Sequence, residues 1–206
     1  MAMTMISEGA EAKLYSTKLL GIDAVVKRRF PKGYRVKPLD EALRRQRTKI
    51  EARALAHASS FGVRVPTLLL LDEFDIYMSR LHGTTLSKMI DNGIGGAELN
   101  GIMSEAGAYL GLLHEAGIAH GDYTPANIMV CGGAAYVIDF GLAAMSSSVE
   151  EMALDLLLMK RSVSSPAFAA FMASYAKAYE GSDKTEGRLN SIEKRGRYQT
   201  RTLTSV

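Results

Sequence analysis

The apolar residues of this chain fall in short β-rich runs up to about residue 80 and in broad helical stripes after it. Residues 6–30, ISEGAEAKLYSTKLLGIDAVVKRRF, predict hairpin material, with a glycine turn at Gly9, a second break at Gly21-Ile22-Asp23 and a β-rich run from Ala24 to Lys27. A loop rich in Pro, Gly and Tyr ends at Pro38. EALRRQRTKIEARALAHAS follows, with Leu43, Ile50, Ala54 and Ala58 at helical intervals, Asp40 as its expected N-cap and Gly62 as its stop. VPTLLLLDEFDIYMSRL predicts two strands meeting at Asp72-Glu73.

From Thr85 the pattern becomes helical. LSKMIDNG predicts a short helix stopped by Gly93. ELNGIMSEAGAYLGLLHEAG predicts a long one, striped by Leu99, Ile102, Met103, Ala106, Leu110 and Leu113 and closed by Gly117. After the loop AHGDYTPANIMV come two short strands, NIMV and AYVIDF, separated by Cys131-Gly-Gly133. Helices over 149–163 and 166–179 and an Arg-rich C-terminus complete the chain. The expected division is a β-rich lobe with one long helix over 1–80 and a mainly helical lobe over 81–206, with a basic tail from about residue 184.

Composition narrows the class without naming it. The 206 residues are 47% hydrophobic and 23% charged, enough for a packed core in one large domain or two small lobes. A lone cysteine, Cys131, excludes an internal disulfide framework and any multi-cysteine metal site. No run approaches the roughly 18 apolar residues of a membrane span. MAMTMISEGAEA lacks the basic-then-apolar order of a secretory signal, so the expected location is the cytoplasm. The net charge of +3 is unevenly spread: residues 27–53 hold eleven Lys or Arg against three acids, and residues 184–201 six against two. Such segments suit a polyanionic partner, although a solvated helix face and a loose tail give the same pattern.

The candidate chemistry lies in the order of a few polar residues. His120, Asp122 and Asn127 form a His-x-Asp-x4-Asn set that, alone, is an ordinary turn. Asp139-Phe140-Gly141 follows an apolar strand, Lys27 ends the strand AVVK, and Glu51 lies in the long helix. Gly9 precedes them all. Glycine turn, strand Lys, helix Glu, His-x-Asp-x4-Asn and Asp-Phe-Gly, in that order, are the parts of a protein-kinase-like phosphotransferase. ATP brings about four negative charges, for which Lys27 is a point cation that Glu51 would steady. Asp139 and Asn127 offer hard oxygens suited to magnesium. Asp122 is placed to orient or deprotonate an attacking hydroxyl or water. His120 reads better as a brace for the loop than as a reactant. The local alternatives are a solvated Lys27, a Glu51 paired with Arg47 or Arg53, and a plain turn at Gly9.

GAEA at 9–12, VVKRRFPKGYRVKPLDEALRRQRTKIEA at 25–52, HGDYTPANIMV at 120–130, VIDFGLA at 137–143, ALDL at 153–156 and RGR at 195–197 together resemble the small atypical kinases of the KEOPS complex, whose core is similar to the RIO-type minimal kinases. The resemblance implies an α+β, bilobal protein-kinase-like fold with a minimal helical lobe, and ATP and Mg2+ as cofactors. It implies Asp122 and Lys27 as catalytic residues and Gly9, Ala10, Glu11, Ala12, Lys27, Glu51, Asn127 and Asp139 around the nucleotide. Asn127 and Asp139 would hold the metal. It also implies a KEOPS synthase subunit and other complex subunits as partners, and tRNA, on an adenosine of which the complex installs threonylcarbamoyl, as the target. Neither membrane nor DNA is expected. Arg195, Arg197 and Arg201, with Tyr198 among them, become candidates for tRNA or partner contact.

The departures from ordinary protein kinases point the same way. Gly121 stands where Arg would follow the His, and Tyr-Thr-Pro where a Lys would sit two positions after the Asp. Only about eight residues separate Gly141 from the helix near Val149, too few for an activation segment. With no platform for a peptide, water or a nearby serine (Ser146, Ser147 and Ser148 follow Asp139 closely) is the expected acceptor. An independent serine/threonine kinase acting in trans, a catalytically silent scaffold and an aminoglycoside-type phosphotransferase are the competing readings.

Overall fold

The computed structural model describes residues 2–146 and 148–203, with only the backbone course given for 196–203. Strands β1 (Thr4–Glu8), β2 (Ala12–Leu19), β3 (Ile22–Arg29), β4 (Leu68–Leu71) and β5 (Asp75–Ser79) form one antiparallel sheet in the order β1-β2-β3-β5-β4. β2 and β3 pair from Ala12↔Arg29 to Leu19↔Ile22, so the connecting turn is Leu20-Gly21, one residue earlier than the expected break. Both turn residues have positive φ, 51° and 84°, as a two-residue hairpin requires. Helix α1 (Lys37–Ser60) joins β3 to β4 and packs on β4 and β5.

The helix begins three residues before the expected cap. Val36 is its N-cap and Pro38 occupies the first turn, where a missing N–H costs nothing. Asp40 is instead buried inside that turn. Its carboxylate accepts from Lys32 N at 3.1 Å and Arg44 Nε at 2.6 Å, fastening the preceding loop to the helix.

The remaining elements are β6 (Thr84–Thr85), α2 (Leu86–Asp91), α3 (Gly96–Glu115), β7 (Ile118–Ala119), β8 (Ile128–Cys131), β9 (Ala134–Val137), β10 (Ala144–Met145), α4 (Val149–Ser162), α5 (Ser165–Ala178) and α6 (Ser182–Leu203). β6-β8-β9 make a small sheet, and β10 pairs with β7. α3 and α5 approach closely because Gly107 and Gly111 face α5: a Cβ at Gly107 would lie 2.0 Å from Phe171 O, and one at Gly111 2.7 Å from Ala178 Cβ. One apolar core joins α3, α4, α5 and the small sheet to Ala54, Leu55 and Ala58 of α1 and to Val63 and Val65.

Two expectations change. The segment from about 184 is the helix α6, with Thr185 and Leu189 buried and Lys160 bonded to Glu193 at 2.8 Å. Its polar sequence hid a narrow inner stripe that reaches α4 and the core. Much of the positive charge over 27–53 is also answered within the fold, by Glu11, Asp40, Glu51, Glu73 and Asp75. Among the described residues no helix is long and apolar enough to cross a membrane.

Candidate active site

A cleft runs between the five-stranded sheet and the helical half. Its inner part is apolar, lined by Leu14, Val25, Leu55, Ile76, Met129 and Phe140, and its outer part is polar, lined by Gly9–Ala12, Arg29, Asp122 and Gly141. Lys27 and Asp139 line both parts. A flat apolar group followed by a charged tail is the ligand shape this gradient accommodates.

β3 carries Lys27 and Arg29 at alternate positions, so both side chains leave the same face of the strand. Glu51 meets them from α1. Lys27 Nζ donates to Glu51 Oε1 at 2.5 Å and to Asp139 Oδ1 at 2.7 Å, while Arg29 Nη2 donates to Glu51 Oε2 at 2.7 Å. Glu51 thus pairs with Lys27 and Arg29 rather than with Arg47 or Arg53. Burial disfavours the charged Lys27, but the Glu51 and Asp139 carboxylates outweigh it, so the ammonium titrates above its ordinary range. Asp139 is likewise penalised by burial, and Lys27 more than compensates, holding its carboxyl below the usual range.

Asp139 lies two residues beyond the end of β9, not within the strand, and adopts φ 60°. Asp tolerates this left-handed conformation because its side chain bonds local backbone, here Gly141 N to Oδ1 at 3.1 Å. Asn127 follows Pro125 in a single 3-10 turn, and its Nδ2 donates to Asp122 O at 2.9 Å and Oδ2 at 2.8 Å. That fixes the amide with Oδ1 as its remaining acceptor. Asn127 Oδ1 and the Asp139 carboxylate are therefore two hard oxygens lining one cleft, a donor pair that fits magnesium, which takes only one or two protein ligands alongside phosphate and water.

The catalytic-loop candidates are held from below. Asp155, fully buried in α4, accepts from His120 N at 2.7 Å, Gly121 N at 2.8 Å and the His114 ring at 3.3 Å. The His120 ring is also buried, with Nε2 on Ile138 O at 3.2 Å and Nδ1 accepting Asp122 N at 3.3 Å. Both contacts are met by the neutral ring protonated on Nε2, and burial pushes its pKa down. His120 is a brace between the Asp122 and Asp139 segments, as its sequence context suggests. Gly121 has φ 80°, and a Cβ there would sit 2.5 Å from Leu142 O, so the residue that replaces Arg does so where no side chain fits.

Gly9 shows no such constraint. Its φ is not left-handed, and a Cβ would meet only Ala12 O at an ordinary 3.5 Å. The loop it opens is closed by Gly9 N to Ala12 O at 2.9 Å, by Lys32 Nζ on Ala10 O, and by Glu11, which pairs with Arg29 Nη1 at 3.1 Å and with Arg47. Arg29, Asp155 and His114 are site residues to which the motifs give no role, although Arg29 lies in the segment 25–52 and Asp155 in ALDL, where it is a lone charge inside the apolar run MALDLLLM. Arg195 is exposed on α6, whereas the side chains of Arg197 and Arg201, like Ser147, lie outside the described residues.

Comparison with known proteins agrees with this architecture. The RIO domain profile matches residues 12–176. The KEOPS complex subunit Bud32 of Pyrococcus abyssi is 35% identical over 97% of this chain and 98% of its own. A probable bifunctional tRNA threonylcarbamoyladenosine biosynthesis protein of Methanothermobacter thermautotrophicus is 34% identical over 94% of this chain, which spans only 36% of that longer relative. The Rio2 kinase of Chaetomium thermophilum, solved with ADP/Mg2+ and phosphoaspartate, superposes with a TM-score of 0.64 at 14% identity, covering 95% of this chain and 70% of that one. The kinase-like fold expected from the motif order is thus shared with a RIO kinase. The chain belongs to the RIO-domain family of atypical kinases, in its Bud32 branch.

Proposed function

We propose that this protein is a magnesium-dependent ATPase and atypical serine kinase, acting in the cytoplasm as a regulatory subunit of a KEOPS complex in the threonylcarbamoyladenosine modification of tRNA. The observation that carries the reading is the convergence of Lys27, Glu51 and Asp139, within 2.7 Å contacts, on the cleft that Asp122 and Asn127 also line. Residues 1–80 and 81–206 serve as its two lobes. The family names of its relatives support the choice of complex and of RNA target.

In this reading the apolar part of the cleft takes the adenine and Lys27 takes the inner phosphates. Magnesium, held by Asn127 and Asp139, would neutralise charge on the phosphates. Asp122 receives the proton of the attacking group, and Asn127 Nδ2 keeps its carboxylate oriented for that task. The eight-residue passage from Gly141 to Ser148 leaves no platform for a peptide, which favours water or the chain's own serine as acceptor.

Phosphate release and transfer to protein, measured with and without a synthase subunit and tRNA, test the reading. Asp122→Ala and Asp139→Ala should each lower phosphate release by at least about a hundredfold, the scale of a lost general base or charge clamp. Unchanged release in Asp139→Ala would overturn the enzyme reading. Efficient transfer to added proteins without any complex subunit would favour an independent kinase.

A further inference from the structure

Arg29 lies in the polar part of the cleft, yet neither motif order nor family pattern gives it a task. It is 4% exposed, and its Nε has no hydrogen-bond partner among the described residues. Its two other nitrogens hold two very different carboxylates. Glu51 is 5% exposed and already fixed by Lys27, whereas Glu11 is 44% exposed and sits on the β1–β2 loop. Glu51 gives one oxygen to each of the two cations; Asp139 is the second carboxylate on Lys27, and Glu11 is the second carboxylate on Arg29. The Glu11 carboxylate is gripped by Arg29 and Arg47 together, and its pKa is lowered chiefly by the Arg47 hydrogen bond against the opposing effect of burial.

We propose that Arg29 is a second phosphate-binding cation of this cleft and that Glu11 is a built-in anion occupying it, which the phosphates of a nucleotide displace. Two guanidinium groups closing on one carboxylate is the arrangement that also binds a phosphate. The exposed carboxylate is the replaceable one, since among the described residues the loop that carries it is otherwise bonded only through Gly9 N and Lys32. Glu11 then competes with the ligand for Arg29 and makes affinity depend on phosphate charge more steeply than Lys27 alone would. The proposal rests on the nucleotide-binding reading above.

Isothermal titration of the full chain with adenosine, ADP and ATP, each with magnesium, separates the two. Glu11→Gln removes the competing charge and keeps the side-chain length. It should tighten ADP and ATP about tenfold, the scale of one charge-assisted contact, and leave adenosine unchanged. Arg29→Lys should weaken ADP and ATP by a similar factor and again spare adenosine. Should Arg29→Lys fold poorly, Glu11→Gln decides alone. Unchanged or weaker ADP and ATP binding in Glu11→Gln, with wild-type protein binding both, overturns this proposal and leaves the nucleotide reading intact. No binding of any nucleotide by wild type overturns both.

Discussion

Gly121 and Asp155 hold the loop that carries Asp122. Gly121→Ala forces a Cβ into a left-handed backbone at about 1–2 kcal/mol and drives it against Leu142 O. The expected result is a lower melting temperature together with reduced phosphate release, checked by thermal denaturation and the release assay. Asp155→Ala strips the acceptor from two buried or half-buried backbone amides and from His114. A loss of about 3–5 kcal/mol is expected in urea denaturation, the cost of breaking a buried charged network. At this scale the residues proposed to react were legible because each sits in a short local signature. Arg29, His114 and Asp155 were not, because their partners are 18 to 61 residues away and appear only in the fold.

At the scale of elements, helix starts and helix contacts answer to different signals. Sequence periodicity located α1, but its first turn was misassigned because Asp40 resembles a cap while serving as a buried anchor for Lys32 and Arg44. Burial alone would raise the Asp40 pKa. The Arg44 and Lys32 bonds more than offset it, leaving the folded value below the ordinary 3.8. The stability it contributes is therefore complete above that value and is lost as pH falls through the lower folded pKa. Acid titration of wild type against Asp40→Asn should show a smaller acid-induced step in the variant. The α3–α5 contact was invisible in the apolar stripe, since glycines mark it by absence of side chain. Gly107→Ala should cost about 1–3 kcal/mol or more, as the two helices must separate to admit one methyl group.

For the whole molecule, the main revision is the C-terminal segment. A run of charged and polar residues reads as tail, yet in the first part of α6 Thr185 and Leu189 are buried and Ile192 packs against the core. Leu189→Ala should lower stability by about 2–5 kcal/mol in chemical denaturation, whereas a loose tail would leave it unchanged. Arg195 lies on the exposed side of α6.

The core shared between α1 and the helical half has a thermodynamic consequence. Ala54, Leu55 and Ala58 belong to the same apolar cluster as α3 and α5, one to two turns beyond Glu51. The helix that bears Glu51 therefore cannot swing outward without opening that cluster to water. The sheet loses its supporting helix as soon as the core melts, so the chain should unfold as a single cooperative unit. Calorimetry should record one heat-absorption peak with equal calorimetric and van't Hoff enthalpies, and a ligand bound only at the cleft should shift that peak as a whole.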